Sequence, residues 1–172
     1  MKHSYQDNPK IEVHKSDTQF EVREKKRMFR QKFFFLSDIR NGTVYINASL
    51  RNKKRHSNEL SGKVLFDHMM MHYTPERVKT IIGHWYDYSD NHKAFIKAMD
   101  SGMTPSEAAL ETWTGKQAAK YGYKYASVTF AKHRSMDPSF DYYMIFFSKE
   151  PSDKSDEVDS VLVPYKANSI SY

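Results

Sequence analysis

The feature that most constrains this chain is a change of hydrophobic period between Val78 and Tyr123. Val78, Ile81, Ile82 and Trp85 form a short apolar run, and Ala94, Phe95, Ala98 and Met99 then recur at helical spacing. Four of the six glycines and both tryptophans fall in this stretch. It predicts a strand over Val78 to Tyr86, a polar turn over Asp87 to Asp90, and a string of short helices closing on Gly122.

On the N-terminal side, residues 1 to 18 are polar without a sustained period and read as a loose arm. Phe20 and Val22 alternate with charged neighbours as in a strand. Gln31 to Ser37 is assigned to a strand, with a helical start at Arg23 to Arg30 competing because Glu21 with Lys25 and Arg23 with Arg27 sit at helical spacing. Asn41-Gly42 supplies the two positive φ angles of a tight hairpin joining residues 31 to 38 with 43 to 50. Thr43 to Leu50 alternates cleanly, with Val44, Ile46, Ala48 and Leu50 on one side.

A basic loop, Arg51 to Lys63, precedes a helix from Val64 to Tyr73, which Thr74 and Pro75 end. Gly83 inside the next strand marks a bulge or a close backbone approach. A helix from Asn91 to Asp100 ends at Gly102, and Thr104, Pro105 and Glu107 start another with a capping box. Trp113, Thr114 and Gly115 read as an interruption, followed by a last short helix from Lys116 to Tyr121. Strands over Tyr125 to Lys132 and Tyr142 to Ser148 finish the core; residues 150 to 160 form a charged loop, and Val161 to Tyr165 reads as an added edge strand. The expected architecture is α+β, a twisted, mostly antiparallel sheet of about six strands with helices on its faces. Residues 19 to 172 form a single domain with a helical insert at 101 to 115.

Composition narrows the function classes. A chain of 172 residues suits one core, and its aromatics, 15% of the sequence, imply a core closed by large rings. The net charge of +6 suits a nucleic acid, an anionic membrane face or a phosphorylated cofactor without choosing among them. The absence of cysteine rules out disulfides, thiolate metal sites and a cysteine nucleophile, and a reducing cytoplasm is the simplest home. No apolar run approaches the ~20 residues of a membrane helix. Residues 1 to 10 are too polar for a signal peptide, so export as an effector would use another route.

The order of elements resembles the GNAT superfamily of acetyl-CoA-dependent acyltransferases. In that family a Gln/Arg-x-x-Gly-x-Gly/Ala loop before a helix holds the cofactor pyrophosphate. The matching stretch is Ser57 to Phe66, with Ser57 at the leading position, Leu60 at the first glycine and Gly62 at the second. Ile81-Ile82-Gly83 with Asn91-His92-Lys93-Ala94 is similar to the family's fifth strand and following helix, and Tyr121-Gly122-Tyr123 to its Gly-Phe close. The resemblance implies acetyl-CoA or another acyl-CoA as cofactor, bound at Ser61, Gly62 and Lys63, and an amine-bearing small molecule or protein as acceptor. The tyrosine that often acts as general acid falls on Ala118 or Ala98, so no acid carries over. A looser resemblance, to domains of bacterial secreted and effector proteins, rests on Gly83, Trp85, Asn91, Phe95, Ala108, Ala109, Thr112, Thr114 and Gly115, and no chemistry attaches to it.

Several side chains carry candidate chemistry beside a plainer role. Free N–H groups at the start of the helix after Ser61 suit an anion, although Ser-Gly pairs open helices without any ligand. His84 faces opposite to Trp85 by alternation and is the candidate general base; Tyr86 and Tyr88, with Trp113, are candidates for stacking on substrate, with rim packing as the alternative. His68 and His72, four apart, can bind a metal geometrically, but no third ligand is indicated and a packing pair is preferred. The leading expectation is an N-acyltransferase. An effector-like domain that binds nucleic acid or protein is the alternative, with basic residues at 23 to 32 and 51 to 55 as its contact stripe. A partner-binding module in which the Phe-rich hairpin edge pairs with another chain, a homodimer included, is the third.

Overall fold

The Asn41-Gly42 turn organises the first half of the sheet. Both residues have positive φ, 52° and 81°, which lets β3 (Phe33–Arg40) return directly as β4 (Thr43–Leu50). The computed structural model describes residues 11–25, 33–50, 61–86, 89–131 and 142–151. Within them β1 (Ile11–Ser16) and β2 (Gln19–Glu24) precede β3, and α1 (Gly62–Tyr73) crosses from β4 to β5 (Thr80–Tyr86). Then come α2 (Asp90–Asp100), α3 (Pro105–Glu111), α4 (Trp113–Ala119), β6 (Tyr125–Ala131) and β7 (Tyr142–Ser148). The strands form one seven-stranded sheet in the order β1-β2-β3-β4-β5-β7-β6. Every neighbouring pair is antiparallel except β4 with β5. The class is therefore mixed α+β with a mostly antiparallel sheet.

The registers sort the side chains onto two faces. On one lie Phe20, Val22, Phe35, Ile39, Val44, Ile81, Trp85, Ile145 and Phe147, all members of a single buried cluster. The helices supply the rest of that cluster: Leu65, Phe66, Met69, Met70 and Tyr73 from α1, Phe95 from α2, Ala108 and Ala109 from α3, and Ala118 from α4. The four described helices thus cover one face of the sheet. Ile82 and Tyr142 are also buried but stand outside that cluster, on the opposite face. Burial of polar atoms in the core is matched by partners: the Tyr73 hydroxyl donates to the Ser37 carbonyl at 2.8 Å, and the Ser37 hydroxyl donates to the Phe20 carbonyl at 3.3 Å.

Three expectations are corrected. Residues 11 to 18 are a strand and a two-residue turn, not part of a loose arm, because Ile11 and Val13 alternate onto the core face opposite Glu24 and Val22. The Phe-rich strand β3 pairs with β2 on one side and β4 on the other, so it offers no edge to a partner. The helix placed at Lys116 begins at Trp113, because the Thr112 hydroxyl caps it by accepting from the Gly115 amide at 3.1 Å. The stretches 1 to 10 and 152 to 172 lie outside the described residues, including the strand expected at Val161 to Tyr165.

The residues behind the looser resemblance form a structural joint. A Cβ at Gly83 would stand 3.0 Å from Trp85 Nε1, so the indole lies back over the glycine, and Phe95 packs on that indole at 5.8 Å between ring centres. The Asn91 side-chain amide donates to the Thr114 hydroxyl at 2.7 Å and ties the start of α2 to α4. Thr112 closes α3 by donating to the Ala109 carbonyl at 2.7 Å while it opens α4. At Gly115 a Cβ would lie 2.4 Å from the Ala109 carbonyl oxygen and 2.6 Å from that of Leu110, both backbone atoms that cannot swing aside.

Gly115→Ala should therefore destabilise the protein by roughly 2–3 kcal/mol through overpacking at the α3–α4 junction. Urea unfolding followed by circular dichroism measures it, and wild-type stability in that variant would show that the two helices do not approach as closely as described.

Candidate functional site

The site is built where the single parallel pair stops. β4 and β5 are in register from Thr43 opposite Thr80 to Ile46 opposite Gly83, and there the ladder ends. Asn47–Leu50 and His84–Tyr86 run on without pairing to each other. Each remains fixed on its other side, β4 to β3 as far as Leu50 opposite Phe33 and β5 to β7 as far as Tyr86 opposite Tyr142. Two strands held rigidly on their outer sides thus part on their inner ones. Their backbone N–H and C=O groups at that boundary must find partners other than each other.

His84 is the first β5 residue beyond the last parallel pair, and alternation turns it away from the Trp85 core face. Its ring is exposed on one side and lies against Tyr142 on the other, with ring centres 5.2 Å apart, while Met144 sits directly opposite on β7. The atoms crowded around its inner flank desolvate the imidazolium and hold its pKa below the usual imidazole range. A neutral imidazole at neutral pH is the form that can accept a proton. Tyr86 shares this face and packs on the same Tyr142 ring at 5.3 Å. Tyr142 was not singled out from the sequence; its signal is the match of Tyr142, Met144 and Phe146 to Tyr86, His84 and Ile82, legible only once β7 is known to pair with β5.

Ser61, Gly62 and Lys63 open α1. Ser61 is the exposed N-cap, its hydroxyl accepting from the Val64 amide at 3.4 Å, and Lys63 is exposed one position after Gly62. Because α1 carries the chain back between two parallel strands, its first turn lies at the sheet edge where β4 ends, the edge at which β4 and β5 part. The helix start and His84 thus sit toward the same edge of the sheet. Residues 51 to 60, with the positions of Ser57 and Leu60 and the basic run Arg51 to Arg55, lie outside the described residues, as do Tyr88 and most of the basic stretch 23 to 32.

Other candidates are placed elsewhere. His72 Nε2 donates to the Ser16 carbonyl at 2.8 Å, and His68 is one of the buried residues of α1. Among the described residues no group of three or more potential metal ligands comes together. Trp113 packs edge-on against Phe66 at 6.1 Å, on the helical side of the sheet, so it does not join Tyr86. An open hollow of about 410 Å³ lies between the end of α2 and α3, lined by Ser101, Met103 and Glu107 among others, away from the parallel pair. No described helix is long and apolar enough to cross a membrane.

Among the described residues, Tyr73, Tyr121 and Tyr123 have hydroxyls whose pKa is raised. Tyr121 donates to the Asp67 carboxylate at 2.8 Å, and burial with that negative charge raises its pKa. Tyr123 donates to the Val78 carbonyl at 2.7 Å, and burial raises its pKa too, as it does for Tyr73.

No protein-family model matches the chain, and no curated protein matches it. Among solved structures it is similar to one described as the "crystal structure of a putative phosphinothricin N-acetyltransferase", at 9% identity and a TM-score of 0.38 over 81% of this chain and 75% of that one. A likeness that distant has no bearing on the chemistry of the site.

The pKa directions give opposite slopes at the two ends of the pH scale. Each tyrosine pKa is raised in the folded state, so the unfolded chain loses its phenolic protons first, and stability should fall as pH rises past about 10. His84 is depressed, so the unfolded chain binds its proton first, and stability should also fall as pH drops below about 6.5. Denaturation midpoints across pH measure both: Tyr123→Phe should flatten the alkaline limb and His84→Gln the acid limb. Unchanged limbs in these variants would mean that other groups set the pH dependence.

Proposed function

We propose that this chain binds an acyl-CoA between the parting ends of β4 and β5 and transfers its acyl group to an amine, with His84 as general base. The observation that carries the reading is the end of the parallel ladder at Ile46 and Gly83. The pantetheine arm of the cofactor is an extended chain bearing amide groups. Backbone groups of Asn47–Leu50 and of His84 and Trp85, which lie beyond the last β4–β5 pair, suit such an arm as a neighbouring strand would. Negatively charged phosphates suit the first turn of α1, where the amides of Gly62 and Lys63 head a twelve-residue helix and the Lys63 ammonium adds charge. The residues present therefore fit the group.

When bound, the cofactor supplies the acyl group as an activated thioester. An amine acceptor is mostly an ammonium ion at neutral pH and cannot act as a nucleophile until it loses a proton. His84, neutral and open to solvent on one side, accepts that proton. Tyr142 holds the imidazole against the sheet, so the accepting nitrogen is offered from a fixed ring. Tyr86 and Tyr142 give the acceptor an aromatic surface beside the base. Orientation on a rigid pair of strands contributes by keeping base and acceptor together.

Calorimetry with acetyl-CoA should detect binding to the folded protein, and release of free thiol with a panel of amines should detect turnover. His84→Gln should leave cofactor affinity unchanged and lower kcat roughly 10²–10⁴-fold. Absence of binding at millimolar acetyl-CoA by protein with native circular dichroism would sink the reading; binding with undiminished turnover in His84→Gln would remove His84 from its role.

A further inference from the structure

Among the described residues the sheet has two outer edges, β1 and β6, and they are treated differently. β1 is a guarded edge: Glu12, His14 and Lys15 lie along it, and Arg23 of β2 reaches across to Glu12 with a hydrogen bond of 3.0 Å. Charged side chains on an edge strand discourage another strand from adding to it. β6 reads YASVTFA and carries no charge and no proline over all seven residues. Ala126, Ser127, Val128, Thr129 and Phe130 each remain partly exposed even though the strand is bonded to β7 along its whole length. An uncharged, regular, half-exposed edge of this length is a template for strand addition.

The sequence of β6 also says which strand fits. Two copies related by a two-fold axis normal to the sheet place β6 antiparallel to itself, with the same faces up. Opposed residues must point to the same face, so such a pairing can centre only on a residue, never between two. Centring on Val128 is the one choice that pairs the entire strand. It puts Val128 opposite Val128, the small Ala126 opposite the large Phe130, and the hydroxyl of Ser127 opposite that of Thr129. Large against small and hydroxyl against hydroxyl is the complementarity expected of cross-strand neighbours. Phe130 is already fixed within its own copy, packed on Tyr143 at 5.2 Å.

We infer that β6 is a self-association edge through which two copies of this chain join their sheets into one, antiparallel about Val128. The interface is isologous, each copy giving the same strand. It lies one strand beyond β7, on the side of the sheet away from the parallel pair, and it does not depend on the acyltransfer reading.

The experiment uses the full chain in sedimentation equilibrium and light scattering. The wild type should be a dimer whose dissociation appears on dilution. Ser127 and Thr129 face away from the helices, so replacing both leaves the core cluster intact. Ser127→Lys with Thr129→Lys sets like charges opposite each other twice across the axis and should give a monomer with a native circular dichroism spectrum. Ser127→Lys with Thr129→Glu sets opposite charges there instead and should restore the dimer. A wild type that stays monomeric up to near-millimolar concentration overturns the inference, and that is the result expected if another segment of the same chain occupies this edge. A dimer that survives the paired lysines, or one that the lysine–glutamate variant fails to restore, overturns it as well.

Discussion

The carbonyl oxygen of Gly42 is the point on which the register of the sheet depends. It accepts from the Lys79 amide at 2.7 Å and from the Thr80 amide at 3.2 Å, so the turn that reverses β3 into β4 also starts β5 alongside it. Only glycine serves there: φ is positive, and a Cβ would stand 3.1 Å from Lys79 Cγ and 3.2 Å from the Arg77 carbonyl. Once Thr80 is set opposite Thr43, alternation does the rest, carrying Ile81 and Trp85 to the helices and Ile82, His84 and Tyr86 to the other face. A slip of one residue would bury His84 and expose Trp85, so one hydrogen-bonded oxygen couples the stability of the core to the placement of the candidate base.

The one-sided core follows from connectivity. The parallel crossover from β4 through α1 to β5, and the second from β5 through α2, α3 and α4 to β6, both step in the same direction along the sheet. Right-handed crossovers that step the same way deposit their helices on the same face. That leaves the face bearing His84, Tyr86 and Met144 free of described helices, with Ile82 and Tyr142 buried on it. Placing His84 there keeps it away from the layer that supplies most of the apolar burial. The helical layer can be tied tightly, as at Asn91, Thr112 and Gly115, without constraining the face that carries His84.

Much of this was legible in the sequence, and the failures have physical causes. Asn41-Gly42, the capping box at Thr104 and Glu107 and the alternation of Thr43 to Leu50 are local signals, and each lies where it was expected. β1 was missed because its outward residues are charged and its apolar positions few, and a strand of that kind is stabilised by its neighbour more than by its own pattern. Trp113-Thr114-Gly115 resembled a break because glycine is a poor helix former. The backbone of α3 admits nothing larger at that point, and this is a tertiary fact. Gly83, Trp85 and Asn91 stood out as a pattern with no chemistry, and their contacts show a packing joint. The outward direction of His84 could be read from alternation, whereas Tyr142 and the end of the ladder at Ile46 depend on which strands become neighbours.

Interrupted pairing is expensive in a sheet, since each buried N–H or C=O without a partner costs on the order of 1–3 kcal/mol. An interruption that persists therefore has to be satisfied by something. At β1 the open groups face solvent and charged side chains keep other chains off. Between β4 and β5 the break lies inside the sheet, bounded on both sides by strands that are themselves fully paired, so the strands cannot simply close on each other without tearing the ladders that hold them. Solvent or an inserted chain must fill it, and the proposed ligand, slender and with its own amide groups, would replace water there at little cost in hydrogen bonds. At β6 there is neither a charge to repel a neighbour nor a constraint to hold one away. The same requirement for partners thus has a different answer at each break, and the difference is written in the side chains that flank it.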